Sequence, residues 1–162
     1  MLSRPRVSGA LHAACFTLLF ATGCEPALRE ATTELKPGVA NRDDVVAIHG
    51  VPAMEYREAN GDVVLEFPKG PSGIRNLFVT LGADGKLKSV VNVLTEPYFN
   101  KVQAGLSRAE GRRILGKPFA IVTFDLSREE VWSWTYEETG GTRMHFNAHF
   151  DLNGTVLRTS RT

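Results

Sequence analysis

Gly105-Leu106-Ser107-Arg108-Ala109-Glu110-Gly111-Arg112-Arg113-Ile114-Leu115-Gly116-Lys117-Pro118 decides the fold, because a second version opens at Gly38-Val39 and closes at Gly50-Val51-Pro52. The correspondence continues downstream. Leu65-Glu66-Phe67 answers Trp134-Thr135-Tyr136, and Gly82-Ala83-Asp84-Gly85 answers Asp151-Leu152-Asn153-Gly154, at an offset of about 66 to 69 residues. Self-similarity at one spacing marks a folding unit used twice. The interval from Gly38 to Gly50 is one residue longer than that from Gly105 to Gly116, a slip that the turn before the helix can absorb.

Local patterns give each copy the same order of elements. In the second, Tyr98, Phe99, Val102 and Leu106 share one side of a short helix ending at Ala104-Gly105. Ser107 is the N-cap of another, with Glu110 completing a capping box. Ile114 and Leu115 supply its buried face, and Gly116 with Pro118 stops it. Residues 131–136, 143–150 and 155–160 read as strands, with the Asn153-Gly154 turn between the last two. In the first copy a helix spans Asp43 to Ile48, strands cover 62–67, 74–81 and 86–93, and Gly70-Pro71-Ser72-Gly73 is a hairpin loop. The expected class is α+β: two tandem α-α-β-β-β units, each antiparallel sheet covered by a short helical hairpin. A unit of some 60 residues is a marginal core, so pairing two of them gains buried surface. Trp132, Trp134, Tyr136, Phe146 and Phe150 are the expected heart of that core.

The front of the chain reads as an export signal. Arg4 and Arg6 precede an apolar stretch from Ala10 to Ala21, too short for a comfortable membrane span. Leu19-Phe20-Ala21-Thr22-Gly23-Cys24 then resembles the lipobox of bacterial lipoproteins, which implies acylation of Cys24. The expected organisation is a signal peptide over 1–23, a tether over 24–34, a first unit over 35–94 and a second over 95–162. Cys15 would leave with the leader and Cys24 would carry lipid, so no disulfide is expected. Loss of Arg4 and Arg6 takes 19 basic residues to 17 against 18 acidic, a net charge of about −1 that leaves no electrostatic footprint for nucleic acid.

Gly105 to Glu110, Ile114 to Pro118, Trp134-Thr135-Tyr136, Phe150 and Asn153-Gly154 together resemble the BamE/SmpA outer-membrane lipoprotein family. The resemblance implies a small α-α-β-β-β fold, a lipid anchor, and a supporting role in assembling outer-membrane proteins. Members of that family carry one unit; two in tandem are more similar to the beta-lactamase-inhibitor protein fold, whose paired sheets form a protein-binding surface.

No catalytic constellation emerges. His145 and His149 lie four apart on a strand, roughly 13 Å along the backbone and too far for one metal ion. Glu129-Glu130 and Glu137-Glu138 bracket the Trp strand as adjacent pairs that point to opposite faces, unlike carboxylates opposed across a cleft. His49 ends a helix, where a cation meets the dipole favourably. Outward-facing residues remain: Asn76 and Phe78 in the first copy, Arg143, His145, Asn147 and His149 in the second. The competing placement puts Phe78 between the two units. The expected function is a lipid-anchored scaffolding or protein-binding role facing the periplasm at the outer membrane, with other envelope proteins as partners and neither enzyme activity, metal, cofactor nor small-molecule substrate. The alternative is an inhibitor of an exported enzyme.

Overall fold

Two eight-residue helices begin alike. Asn41 accepts hydrogen bonds from the Asp43 and Asp44 amides, and the Asn41 amide in turn donates to the Asp44 carboxylate, opening α1 (Arg42–His49). Ser107 and Glu110 make the same reciprocal box at the start of α3 (Arg108–Leu115). Each box satisfies amides that the first helical turn leaves without partners. Both helices end at a glycine with positive φ, +82° at Gly50 and +73° at Gly116. A single helical turn, α2 (Glu96–Phe99), precedes α3.

This computed structural model describes residues 35–68 and 74–162. The expected signal peptide and tether, Cys24 and the loop from Gly70 to Gly73 lie outside the described residues. All described residues belong to one compact unit.

Eight strands form two antiparallel sheets: β1 (Met54–Arg57), β2 (Val63–Pro68), β3 (Asn76–Leu81) and β4 (Leu87–Asn92) in the first, in that spatial order. The second holds β5 (Ala120–Phe124), β6 (Glu129–Glu137), β7 (Arg143–Asp151) and β8 (Val156–Arg161), again in chain order. The duplication reaches the fine geometry. A β-bulge falls between Thr80 and Leu81 in one sheet and between His149 and Phe150 in the other. An isolated bridge ties Asn41 to Lys86, and its counterpart ties Ser107 to Thr155.

The sheets are therefore four-stranded, where three strands were expected. β1 is only four residues long, and β5 is uncharged with Thr123 its one polar residue, so neither shows the alternation that betrays a half-buried strand. The expected helical hairpins are also slighter. Lys36–Val39 forms a hydrogen-bonded turn beside α1, and α2 stops after one turn with Pro97 in its N-terminal residues. Phe99 and Val102 still reach the core that a longer helix would have given them.

Each repeat has its own core. Val45, Leu65, Phe67, Leu77, Val79, Leu81 and Leu87 fill the first, in which Phe67 is the one aromatic among these aliphatic side chains. Leu115, Trp132, Trp134, Phe146 and Phe150 fill the second around Phe99, whose ring stacks on Phe146 at 4.5 Å. All five expected aromatics are buried. The face of the first sheet opposite α1 is where the repeats meet. There Glu66, wholly buried, accepts hydrogen bonds from the Tyr56 hydroxyl (2.8 Å), the Lys117 amide (2.7 Å) and Arg112 (3.3 Å). Arg113 pairs with Glu58 and lies over the Tyr56 ring. Burial, then the bond to Glu66, raises the Tyr56 pKa above its ordinary value. A buried carboxylate is tolerable only with such a full set of donors.

Candidate partner-binding face

The six residues expected to face a partner separate into two groups. Asn76 and Phe78 do not face outward. Asn76 is buried and donates its amide to the carbonyls of Leu115 (2.6 Å) and Lys117 (3.0 Å). Phe78 is half-buried beside the Tyr56 ring, and any Cβ at Gly116 would come within 3.1 Å of its ring. Both side chains are spent on joining the repeats. They lie on the face of the first sheet away from α1, which the C-terminal end of α3 covers, so Phe78 takes the competing placement between the two units.

Arg143, His145, Asn147 and His149 share the face of the second sheet opposite α3. The register sets Ser133 against Asn147, Thr135 against His145 and Val131 against His149 on this face. Ala120, Val122 and Phe124 of β5 extend it on one side, Arg158 and Ser160 of β8 on the other. Its centre is a hydrogen-bonded polar strip. Ser133 donates to Asn147 Oδ1 at 2.7 Å, and Asn147 donates in turn to the Thr162 hydroxyl at 3.4 Å. Thr135 Oγ1 lies 3.2 Å from His145 Nδ1. His149 bridges Glu129 (3.0 Å) and Ser160 (2.9 Å), and Arg158 also donates to Glu129 at 2.8 Å. The bond from His149, reinforced by Arg158, holds the Glu129 carboxyl below its ordinary value. Such cross-strand pairs fix rotamers and pre-form a surface.

Neither histidine belongs to a metal cluster: among the described residues no group of three or more His, Cys, Asp or Glu could hold an ion. The adjacent glutamates do point to opposite faces. Glu130 turns to the helix side, where Arg108 and the Trp132 indole both donate to it at 2.7 Å, a more internal role than the strand-end charge expected. His49 also departs from expectation. Its ring lies 5.3 Å from Phe67, and burial lowers its pKa, favouring the neutral form over the cation anticipated at the helix end.

Sequence reasoning passed over β5. Ile121, Val122 and Phe124 are about half exposed, and Leu126 just beyond is fully exposed. β5 is the sheet's edge, and among the described residues nothing pairs with its outer side. The usable signal was the uncharged, β-branched and aromatic run Ala120-Ile121-Val122-Thr123-Phe124. Uncharged exposed edges template the addition of another strand.

No family model and no curated protein matches the chain. Several solved structures are similar to it, two of which show the level of likeness. One is provisionally named a beta-lactamase inhibitor protein, from Streptococcus mutans, at 14% identity over 76% of this chain and 82% of that chain, with a TM-score of 0.32. The other is a DUF4309 family protein (YjgB) from Bacillus subtilis, at 14% identity over 82% and 83%, with a TM-score of 0.30. Similarity at this level transfers neither a site residue nor an activity.

Proposed function

We propose that this chain is a lipid-anchored envelope protein that acts by binding other proteins, not by catalysis. The observation that carries the reading is the face of the second sheet away from α3, which no helix covers among the described residues and which, with Val131 and Asn147 buried at its centre, runs into the unpaired edge of β5. The matching face of the first sheet is already filled, by Gly116 and the end of α3. The occupant is an extended segment of another envelope protein. It adds as a strand to β5, its main chain supplying affinity and the side chains of Val122 and Phe124 supplying contact. The anchoring half of the proposal rests on the lipobox-like residues from Leu19 to Cys24 and on the basic and apolar leader before them. In this proposal the attachment is acylation of Cys24; among the described residues no helix is long and apolar enough to cross a membrane. Kinship with the BamE/SmpA lipoproteins, and an accessory role in outer-membrane assembly, belong to the same proposal and rest on the matching residues from Gly105 to Pro118 and from Trp134 to Tyr136.

A photo-crosslinker at Val122, activated in intact cells, tests the binding half. An envelope protein should be captured through an extended segment, and Ile121→Lys, which places a charge on the edge, should abolish capture while leaving the circular dichroism spectrum unchanged. Capture that Ile121→Lys does not diminish would remove β5 as the docking edge. Cys24→Ala should release the protein from the membrane fraction; unchanged fractionation removes the anchor.

A further inference from the structure

A half-enclosed cleft of about 250 Å³ lies where the two repeats adjoin. Leu94, Pro118, Phe119 and Trp134 give it an apolar wall, and Arg75 and Lys117 stand among its lining residues. No carboxylate lines it among the described residues, and neither cation takes part in an ion pair there. The contrast with the neighbouring junction is instructive. Arg112 and Arg113, one to two helical turns away in sequence, each have a glutamate partner from the first repeat. Arg75 comes from the first repeat and Lys117 from the second, so the cleft exists only because the chain is duplicated.

We propose that this cleft binds an aromatic carboxylate, the ring on the apolar wall and the acid between Arg75 and Lys117. Size supports a ligand of that class. A cavity of about 150 Å³ accommodates benzene, so this one has room for one ring and a short acid arm but not for a drug-sized molecule. Charge supports it as well: two cations that have no ion-pair partner among the described residues, beside apolar surface, favour a carboxylate attached to an apolar body. The acid can be a free small molecule or the chain end of a peptide closing in an aromatic residue.

Titration of the full chain with 3-phenylpropionate, followed by calorimetry, tests the site. Saturable binding is expected, with 3-phenylpropionamide at least about tenfold weaker because it lacks the charge-assisted bonds. Arg75→Gln with Lys117→Gln should remove the preference for the acid while the thermal melt stays in place, both positions being exposed. Equal binding of acid and amide, unchanged preference in the double variant, or no saturable binding would each overturn the proposal. N-acetylphenylalanine decides the source: tighter binding than 3-phenylpropionate supports a peptide chain end, weaker binding a free acid. The measurement is independent of capture at β5.

Discussion

The two repeats share caps, bulges and strand order, yet they present opposite surfaces. In the first, the face away from α1 is occupied by α3, and the edge strand β1 carries Glu55 and Arg57, with Glu55 paired to Arg42. In the second, among the described residues no helix covers the equivalent face, where Val131 and Asn147 are buried and His145 and His149 half-buried, and the edge strand β5 has no charge at all. Charged residues on an edge discourage pairing with another chain; their absence invites it. The first copy thus carries the groups that join the repeats, while the second leaves a sheet edge unpaired among the described residues. The clearest trace is a single position: Glu66 in the first sheet corresponds to Thr135 in the second. One is a buried acceptor for three donors, the other a small hydroxyl facing a histidine on the open surface.

If the two cores are as distinct as this comparison makes them, the second depends most on a single indole. Trp134 is 1% exposed, and its Nε1 donates to the Gly116 carbonyl at 3.0 Å, tying the aromatic core to the junction. Trp134→Ala should cost about 3–5 kcal/mol, read as a lowered denaturation midpoint. A midpoint that does not move would displace the indole from the core. The paired glycines come next. Gly50 and Gly116 adopt the same backbone conformation, one that costs a residue with a side chain about 1–3 kcal/mol. A Cβ at Gly50 would meet nothing within 4 Å, whereas one at Gly116 would press on Asn76 and Phe78 at 3.1 Å and Glu66 at 3.5 Å. Gly116→Ala should therefore exceed Gly50→Ala by about 1–3 kcal/mol, the usual cost of overpacking. Equal losses in chemical denaturation would mean that the repeats do not meet at this glycine.

A sharper probe converts one repeat toward the other. Glu66→Thr installs the second repeat's residue in the first and strands the Lys117 amide, the Tyr56 hydroxyl and Arg112. Leaving buried donors without partners should cost about 2–3 kcal/mol, and Tyr56 should lose one cause of its raised pKa. Spectrophotometric titration of the tyrosines would follow that second effect. A Tyr56 titration that does not fall would exclude Glu66 as its acceptor.

What could be read from the sequence follows a simple division. Elements whose signal is local were legible: the Ser107–Glu110 capping box, the glycine stops, and the alternation of Trp132, Trp134 and Tyr136 with Phe146, Ala148 and Phe150; the matching Asn41–Asp44 box, equally local, was passed over. Elements defined by the other repeat were not. In Val63-Val64-Leu65-Glu66-Phe67, Glu66 looks like the solvent-side residue of a half-buried strand, because the helix that buries it lies 46 to 51 residues further along the chain. Asn76 and Phe78 mislead for the same reason. β5 failed differently. A short apolar run exposed on both faces has no periodicity to distinguish it from a buried segment. On the open face, Arg143, His145, Asn147 and His149 were found together because they belong to one strand with strict alternation.

The smallest effect is the one most particular to the second repeat. Gly111 lies inside α3, where Val45 fills the corresponding place in α1 and is fully buried. A Cβ at Gly111 would sit 3.6 Å from the Phe150 ring, an ordinary contact, and this glycine is not in the left-handed region. Helix interiors favour alanine over glycine by about 0.5–1 kcal/mol, through the entropy the unfolded chain no longer has to lose. Gly111→Ala should accordingly stabilise the protein by that amount, raising the midpoint of a denaturant titration without changing its slope. Gly111→Val, which would complete the symmetry with Val45, should not improve on alanine. Its two γ-methyls must enter space that Phe150 already holds, and β-branching lowers helix propensity. If valine proved the more stabilising of the two, the aromatic core over α3 would have slack that this packing does not contain.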